Sequence, residues 1–354
     1  MTTLVTSLEE STGKTAIALA LGTVARDRGE RVGYMKPKGT RPQSTVGKTL
    51  DRDPMLARDV LDLDSAMHEM EPVVYSPTFV QEAVRGREDP EALRERIETS
   101  FEALSADVDR MIIEGGGSLT TGGIVDLTDA DLAELLDATV VLVAGFEEPG
   151  DVDAVLAAAD LLGDRLGGVL FNDVPDAAFD SLASDAVPFL ERRGIRVYGT
   201  VPRDPGLAGV TVAELADETG AELLTTDVPT DGRIRRFVVG AMSAEEALGQ
   251  LRRVRDAALI TGGDRADVQT AALEASGIVC MLLTGGFRPP ETVLGRATAA
   301  GVPVLSVPTD TATTLDRADA VFKSGRTRDE RTVERMSELL ADYADVDAIL
   351  SGSV

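Results

Sequence analysis

The chain has 354 residues, 61 Asp and Glu against 35 Lys and Arg, a formal net charge of −26, one cysteine, one histidine and no tryptophan. A surface so acidic repels phosphate backbones and anionic headgroups, which excludes nucleic acid and membrane surfaces as general partners. The lone Cys280 and lone His68 exclude an internal disulfide and any multi-cysteine or histidine-based metal cluster.

Arginine has almost replaced lysine: only Lys14, Lys36, Lys38, Lys48 and Lys323 remain, and four of them lie within the first 48 residues. That balance fits a protein working in concentrated salt, where screening weakens the mutual repulsion. Apolar runs such as Ala138 to Phe146 are far shorter than the roughly 20 residues of a membrane span, and the N-terminus lacks the pattern of an export signal, so a cytoplasmic location is expected. The length predicts about two domains.

In chain order, β-branched runs at Thr2 to Thr6, Arg31 to Met35, Arg110 to Ile113, Thr139 to Ala144, Gly168 to Asn172 and Arg196 to Val201 read as strands. Helical patterns at Lys14 to Arg28, Asp89 to Ala106, Asp129 to Leu136, Pro149 to Leu162 and Ala177 to Arg193 alternate with them. Such alternation predicts an α/β fold, a parallel sheet with helices on both faces. The breaker-rich stretch from Pro202 to Gly209 reads as a linker. Beyond it a helix at Val212 to Thr219 and strands at Ile234 to Val239, Ala257 to Ile260, Ile278 to Leu283 and Pro303 to Val307 predict a smaller α/β domain. Within that domain Leu259-Ile260-Thr261-Gly262-Gly263 is echoed by Leu282-Leu283-Thr284-Gly285-Gly286. These Thr-Gly-Gly turns admit two readings, anion binding at helix starts beside Arg265 and Arg288, or tight strand-to-helix turns. The expected division is 1–208, 209–325 and a charged helical tail, 326–354, with one helix from Glu330 to Leu350.

Thr6 to Thr15 follows the first strand and opens the first helix, where a phosphate-binding loop belongs. Backbone N–H groups there, with the helix dipole, attract phosphate; Lys14 pairs with the outer phosphates and the Thr15 hydroxyl suits Mg²⁺. Glu10, Ser11, Thr12 and Gly13 supply the rest of the cradle. The GxxxxGK[ST] pattern is incomplete, because Leu8 stands where its first glycine falls. Gly47-Lys48-Thr49 has the same core without a preceding strand and reads as a loop decoy. Glu114, at the end of a strand and before three glycines that allow close backbone approach to a ligand, is a candidate Mg²⁺ ligand, and Asp53 is a second.

Taken in order, these pieces resemble the dethiobiotin synthetase and cobyrinic acid a,c-diamide synthase group of P-loop enzymes. Ser7 stands where that family's loop has a glycine, and Lys36-Pro37, Asp53 with Leu56, Pro72 with Ser76-Pro77, Glu114 to Gly117, Asn172 and Gly199 to Pro202 match in turn. The resemblance covers roughly residues 1–208. It implies ATP and Mg²⁺ as cofactors, Lys14 and Lys36 at phosphates or substrate, Thr15, Asp53 and Glu114 on the metal, and Asn172 on the nucleotide base. The second part resembles the DRTGG domain through Asp264-Arg265 and Thr284-Gly285-Gly286. The two in tandem resemble the N-terminal arrangement of long bacterial phosphate acetyltransferases. That implies an ATP- and Mg²⁺-binding regulatory relative without acetyl transfer of its own, a homodimer linked to an enzyme of acetyl-CoA metabolism. An ATP-dependent ligase is the alternative, and a structural protein with a decayed loop is a third.

Overall fold

The computed structural model describes all residues except 41–42, 46–47, 205–206, 208, 241–242, 324–328 and 353–354; for 43–45, 48–50, 244, 246–247 and 322–323 it describes the backbone alone. The chain divides into two units, Met1–Asp204 together with Arg326–Val354, and Pro205–Gly325.

In the first unit, six strands form one parallel sheet: β1 (Thr2–Ser7), β2 (Val32–Met35), β3 (Arg110–Glu114), β4 (Thr139–Ala144), β5 (Leu166–Val174) and β6 (Val197–Pro202). Their order is β6-β5-β4-β1-β3-β2. The inner strands are apolar on both faces, as burial between helix layers requires; Leu4, Val5, Ile112, Ile113, Val140 and Leu142 are fully buried. The chain leaves β1 toward β2, returns to β3, then crosses to β4 on the other side of β1. The direction of winding therefore reverses at the carboxyl end of β1, where open α/β sheets form their ligand crevice.

Helix α1 (Lys14–Asp27) begins at this crevice and is buried without interruption from Ala16 to Gly22. It lies over β3 on one side and under the C-terminal segment on the other. That segment is two helices where the pattern predicts one: α4 (Glu330–Tyr343) and α5 (Val346–Ser351), taking α2 as Arg52–Leu61 and α3 as Asp129–Leu135. The break falls at Ala344, whose extended backbone bridges to Gly199 of β6, and Asp345 then caps α5 by accepting from Ala348 N at 2.9 Å. Val333, Met336, Leu339, Leu340, Val346, Ile349 and Leu350 are buried, so these helices are part of the first unit's core.

The helix expected from Ala177 to Arg193 is interrupted by a wide turn at Leu182–Ala186. Pro188 explains it, since proline has no N–H for the regular ladder. Lys48 and Thr49 lie in a short strand paired with Gln43–Thr45, while Gly47 lies outside the described residues, as do Pro205, Gly206 and Ala208 of the expected linker and the 325/326 boundary.

The second unit has a five-stranded sheet: β7 (Glu222–Leu223), β8 (Arg236–Val239), β9 (Ala257–Gly262), β10 (Ile278–Thr284) and β11 (Val304–Ser306), in the order β7-β11-β10-β9-β8. Four strands are parallel and β7 runs antiparallel on the edge. Cys280 is fully buried in β10, and burial pushes its thiol up to about 12. The Thr-Gly-Gly turns pack on each other: a Cβ on Gly263 would lie 2.0 Å from the Phe287 carbonyl oxygen. The Gln269 side-chain amide donates to Gly262 O and Gly263 O at 2.9 and 3.1 Å. Among the described residues, no helix is long and apolar enough to cross a membrane.

Candidate functional site

The loop between β1 and α1 turns on two left-handed residues, Ser11 (φ 63°) and Gly13 (φ 87°). A side chain at Gly13 would also be blocked, since its Cβ would lie 2.6 Å from Asn172 Nδ2. Asn172, near the end of β5, donates from Nδ2 to Thr12 O at 2.8 Å and so braces the loop from the side. Glu9 and Glu10 are exposed, whereas Ser11, Thr12 and Gly13 are half-buried. Lys14 is buried, and its ammonium donates to Ser7 Oγ at 2.7 Å and to Gly117 O. Ser7, at the departure from the glycine pattern, therefore contributes a hydroxyl acceptor that glycine lacks.

Behind the loop lies a dense acidic cluster. Thr15 Oγ1 donates to Glu114 Oε1 at 2.8 Å, and Tyr34 OH donates to Glu114 Oε2 at 2.6 Å. Lys36, one residue past β2 and 2% exposed, places Nζ 3.1 Å from Asp51 and 3.3 Å from Glu114 Oε1, and pairs with Asp53 Oδ2 more closely still. Asp51 caps α2 by accepting from Asp53 N, and its own N–H donates to Glu71 Oε2 at 2.9 Å. The second Glu71 oxygen is buried and has no hydrogen-bond partner among the described residues. Burial raises Glu71 to about 7. Burial also raises Glu114 to about 7, against the opposing pull of Lys36. For Lys36 burial acts downward, but Asp53, Glu114 and Asp51 outweigh it and hold the ammonium charged.

A second buried cation sits nearby. Lys38 is fully buried and donates to Thr121 O and Leu127 O, each at 2.6 Å, and to Asp129 Oδ1 at 2.7 Å. Thr6 Oγ1 donates to the other Asp129 oxygen at 2.5 Å. The glycines after Glu114, expected to admit a ligand, serve this packing. A Cβ on Gly115 would lie 2.1 Å from Asp129 Oδ2, and one on Gly116 would lie 2.3 Å from Lys38 O.

The structure thus brings Lys14, Thr15, Lys36, Asp53, Glu114 and Asn172 around one loop. Asp51, Glu71, Tyr34, Lys38 and Asp129 complete the surroundings, and no motif marked them; a lysine in an arginine-using chain was the one available signal for Lys38. Among the described residues no three His, Cys, Asp or Glu side chains are disposed to surround a metal ion, because the carboxylates converge on Lys36. The donor chemistry nonetheless fits Mg²⁺, which takes hard oxygens and is usually held by one or two carboxylates together with phosphates. Thr15, Asp53 and Glu114 offer that set, and three carboxylates against one ammonium leave negative charge in excess.

A phosphate-type loop joining the central strand of a parallel sheet to a buried helix defines a P-loop α/β domain. Residues 1–211 match the AAA_26 family, described as an AAA domain, and the chain belongs to that family; residues 214–321 match the DRTGG domain. The chain is 26% identical over 360 residues to a phosphate acetyltransferase of Pseudomonas aeruginosa, covering 94% of this chain and 49% of that protein. It is 27% identical over 202 residues to the ATP-dependent dethiobiotin synthetase BioD of Methanococcus vannielii, covering 56% of this chain and 88% of that protein. Among solved structures, the CBS and DRTGG domains of the regulatory region of Clostridium perfringens pyrophosphatase, complexed with diadenosine tetraphosphate, match at 18% identity and a TM-score of 0.28, over 41% of this chain and 70% of that one. The chain spans about half the length of the phosphate acetyltransferases it matches.

Proposed function

We propose that the first unit binds ATP with Mg²⁺ and that the chain acts as a nucleotide-binding regulatory protein connected with acetyl-CoA metabolism. Its DRTGG domain mediates homodimer formation or senses a metabolite, and the protein works in a salty cytoplasm. The observation that carries this reading is that the first two side chains of α1 turn into the site, Lys14 onto Ser7 Oγ and Gly117 O and Thr15 onto Glu114 Oε1. Lys14 and the loop N–H groups from Glu10 to Thr15 bind and orient the phosphates, and Asn172, whose amide nitrogen braces the loop at Thr12 O, is assigned to the base through its remaining hydrogen-bonding capacity. Thr15, Asp53 and Glu114 hold the metal, which neutralises phosphate charge when bound.

The test is a thermal-shift series in molar KCl with ATP, ADP and acetyl-CoA, comparing wild type with Lys14→Ala. A nucleotide at a hundred times its Kd stabilises the folded state by about 2.7 kcal/mol whether or not it is hydrolysed. Stabilisation of wild type by adenine nucleotide and its loss in Lys14→Ala are expected; no shift with any nucleotide, or equal shifts in both proteins, refutes the reading. Release of ADP only when a diamino acid and bicarbonate are supplied would move the assignment to the ligase alternative.

A further inference from the structure

The side chain at the centre of the acidic cluster is a cation that belongs to the protein. Lys36 Nζ meets three carboxylates, Asp51, Asp53 and Glu114. Two of these, Asp53 and Glu114, are the groups assigned above to a divalent metal, and the Glu114 oxygen nearest Lys36 is the one that also accepts from Thr15. An ammonium and a dication cannot both take the same oxygens, because their mutual repulsion in a buried site opposes simultaneous occupancy. Lys36 is 2% exposed and surrounded, so water does not screen that conflict.

We propose that Lys36 is a resident counter-cation that excludes divalent metal from Asp53 and Glu114 until a polyphosphate anion on the neighbouring loop offers the ammonium another partner. This rests on the nucleotide-binding reading for its physiological setting. The geometry supplies the coupling. Thr15 is the second residue of α1, so phosphates seated at that helix start would lie about one side chain away from Lys36. Metal then binds well only with nucleotide, and by reciprocity nucleotide binds well only with metal. The device stops the empty site from loading with divalent ions, and it keeps three buried carboxyl groups, Asp51, Glu71 and Glu114, and the half-buried Asp53 from facing each other uncompensated.

The experiment is a Mn²⁺ titration of the full chain without nucleotide, read by calorimetry and by thermal shift, on wild type, Lys36→Met and Lys36→Met/Asp53→Asn. The expected result is weak Mn²⁺ binding by wild type, binding at least about tenfold tighter in Lys36→Met, and loss of that gain in the double variant. Removing Lys36 also destabilises the cluster, so stability is a second readout: Mn²⁺ should raise the Tm of Lys36→Met by several degrees and leave wild type unchanged. Equal Mn²⁺ affinity in wild type and Lys36→Met overturns the proposal, as does a Lys36→Met protein that saturating Mn²⁺ neither binds nor stabilises. Because nucleotide is absent throughout, failure of wild type to bind ATP refutes the functional reading by a separate measurement.

Discussion

Lys38→Met is the substitution with the largest consequence expected outside the loop itself. Methionine nearly fills the volume but removes three hydrogen bonds, to Thr121 O, Leu127 O and Asp129 Oδ1, from a side chain that is fully buried. Asp129, itself fully buried, keeps the Thr6 hydroxyl yet loses its counter-charge. Removing one partner of a buried ion pair costs about 3–5 kcal/mol, a large share of a domain's stability. Asp129→Asn should cost less, because an amide can still accept from Lys38. The double variant Lys38→Met/Asp129→Leu should cost less than the sum of its singles, by about 2–3 kcal/mol of coupling. Native-state hydrogen exchange suits a chain with two units, since it reads the affected segment locally. Residues 117–129 should lose protection first. The same segment holds Gly117 O against Lys14 and gives Leu119 N to Ser7 O at 2.8 Å, so stabilisation by nucleotide should fall along with it. A cost below about 1 kcal/mol, or strict additivity in the cycle, refutes the argument that this pair fixes the wall of the phosphate loop.

Two further outcomes follow from burial. Glu71 has a folded-state value near 7 against an ordinary 4.5, so between those pH values the folded protein holds more protons than the unfolded chain and stability falls as pH rises. The shift corresponds to about 3 kcal/mol, and Glu71→Gln should flatten the Tm profile from pH 5 to 8 by a few degrees relative to wild type; parallel profiles would refute this. Deleting residues 326–354 removes Val333, Met336, Leu339, Leu340, Val346, Ile349 and Leu350 from the core over α1. At about 1.5–3 kcal/mol each, the loss is on the order of 10 kcal/mol, comparable to a whole domain's stability, so the first unit of the shortened chain should lose its slowly exchanging amides in native-state hydrogen exchange; native-like protection of β1, β3 and β4 would contradict it.

The strands were legible because burial on both faces leaves a continuous apolar run, and the six of the first sheet lie within two residues of their expected ends. The phosphate loop was legible from Gly13-Lys14-Thr15 after a strand. What the pattern did not carry is partnership across distant chain segments. Glu114 to Gly117 marked a special place, but a glycine run reads the same whether backbone must clear a ligand or, as here, the Asp129 carboxylate and the Lys38 backbone. The tail's charged sequence gave no sign of docking, since an amphipathic stripe names a buried face without naming what covers it.

The scarcity of lysine has a physical reading that only the structure supplies. Lys14, Lys36 and Lys38, the lysines whose side chains are described, are all buried, at 8%, 2% and 0% exposure. An ammonium offers three N–H donors from one atom, whereas guanidinium spreads its donors over a planar fork suited to one bidentate partner. Lys36 meets three carboxylates and Lys38 meets two carbonyls and a carboxylate, each set converging on a single nitrogen. Exposed arginines such as Arg31 and Arg203 use the fork, each against one aspartate. At positions 36 and 38 lysine stands where three oxygens must be satisfied from one point, and an arginine there would aim its donors past the groups that need them.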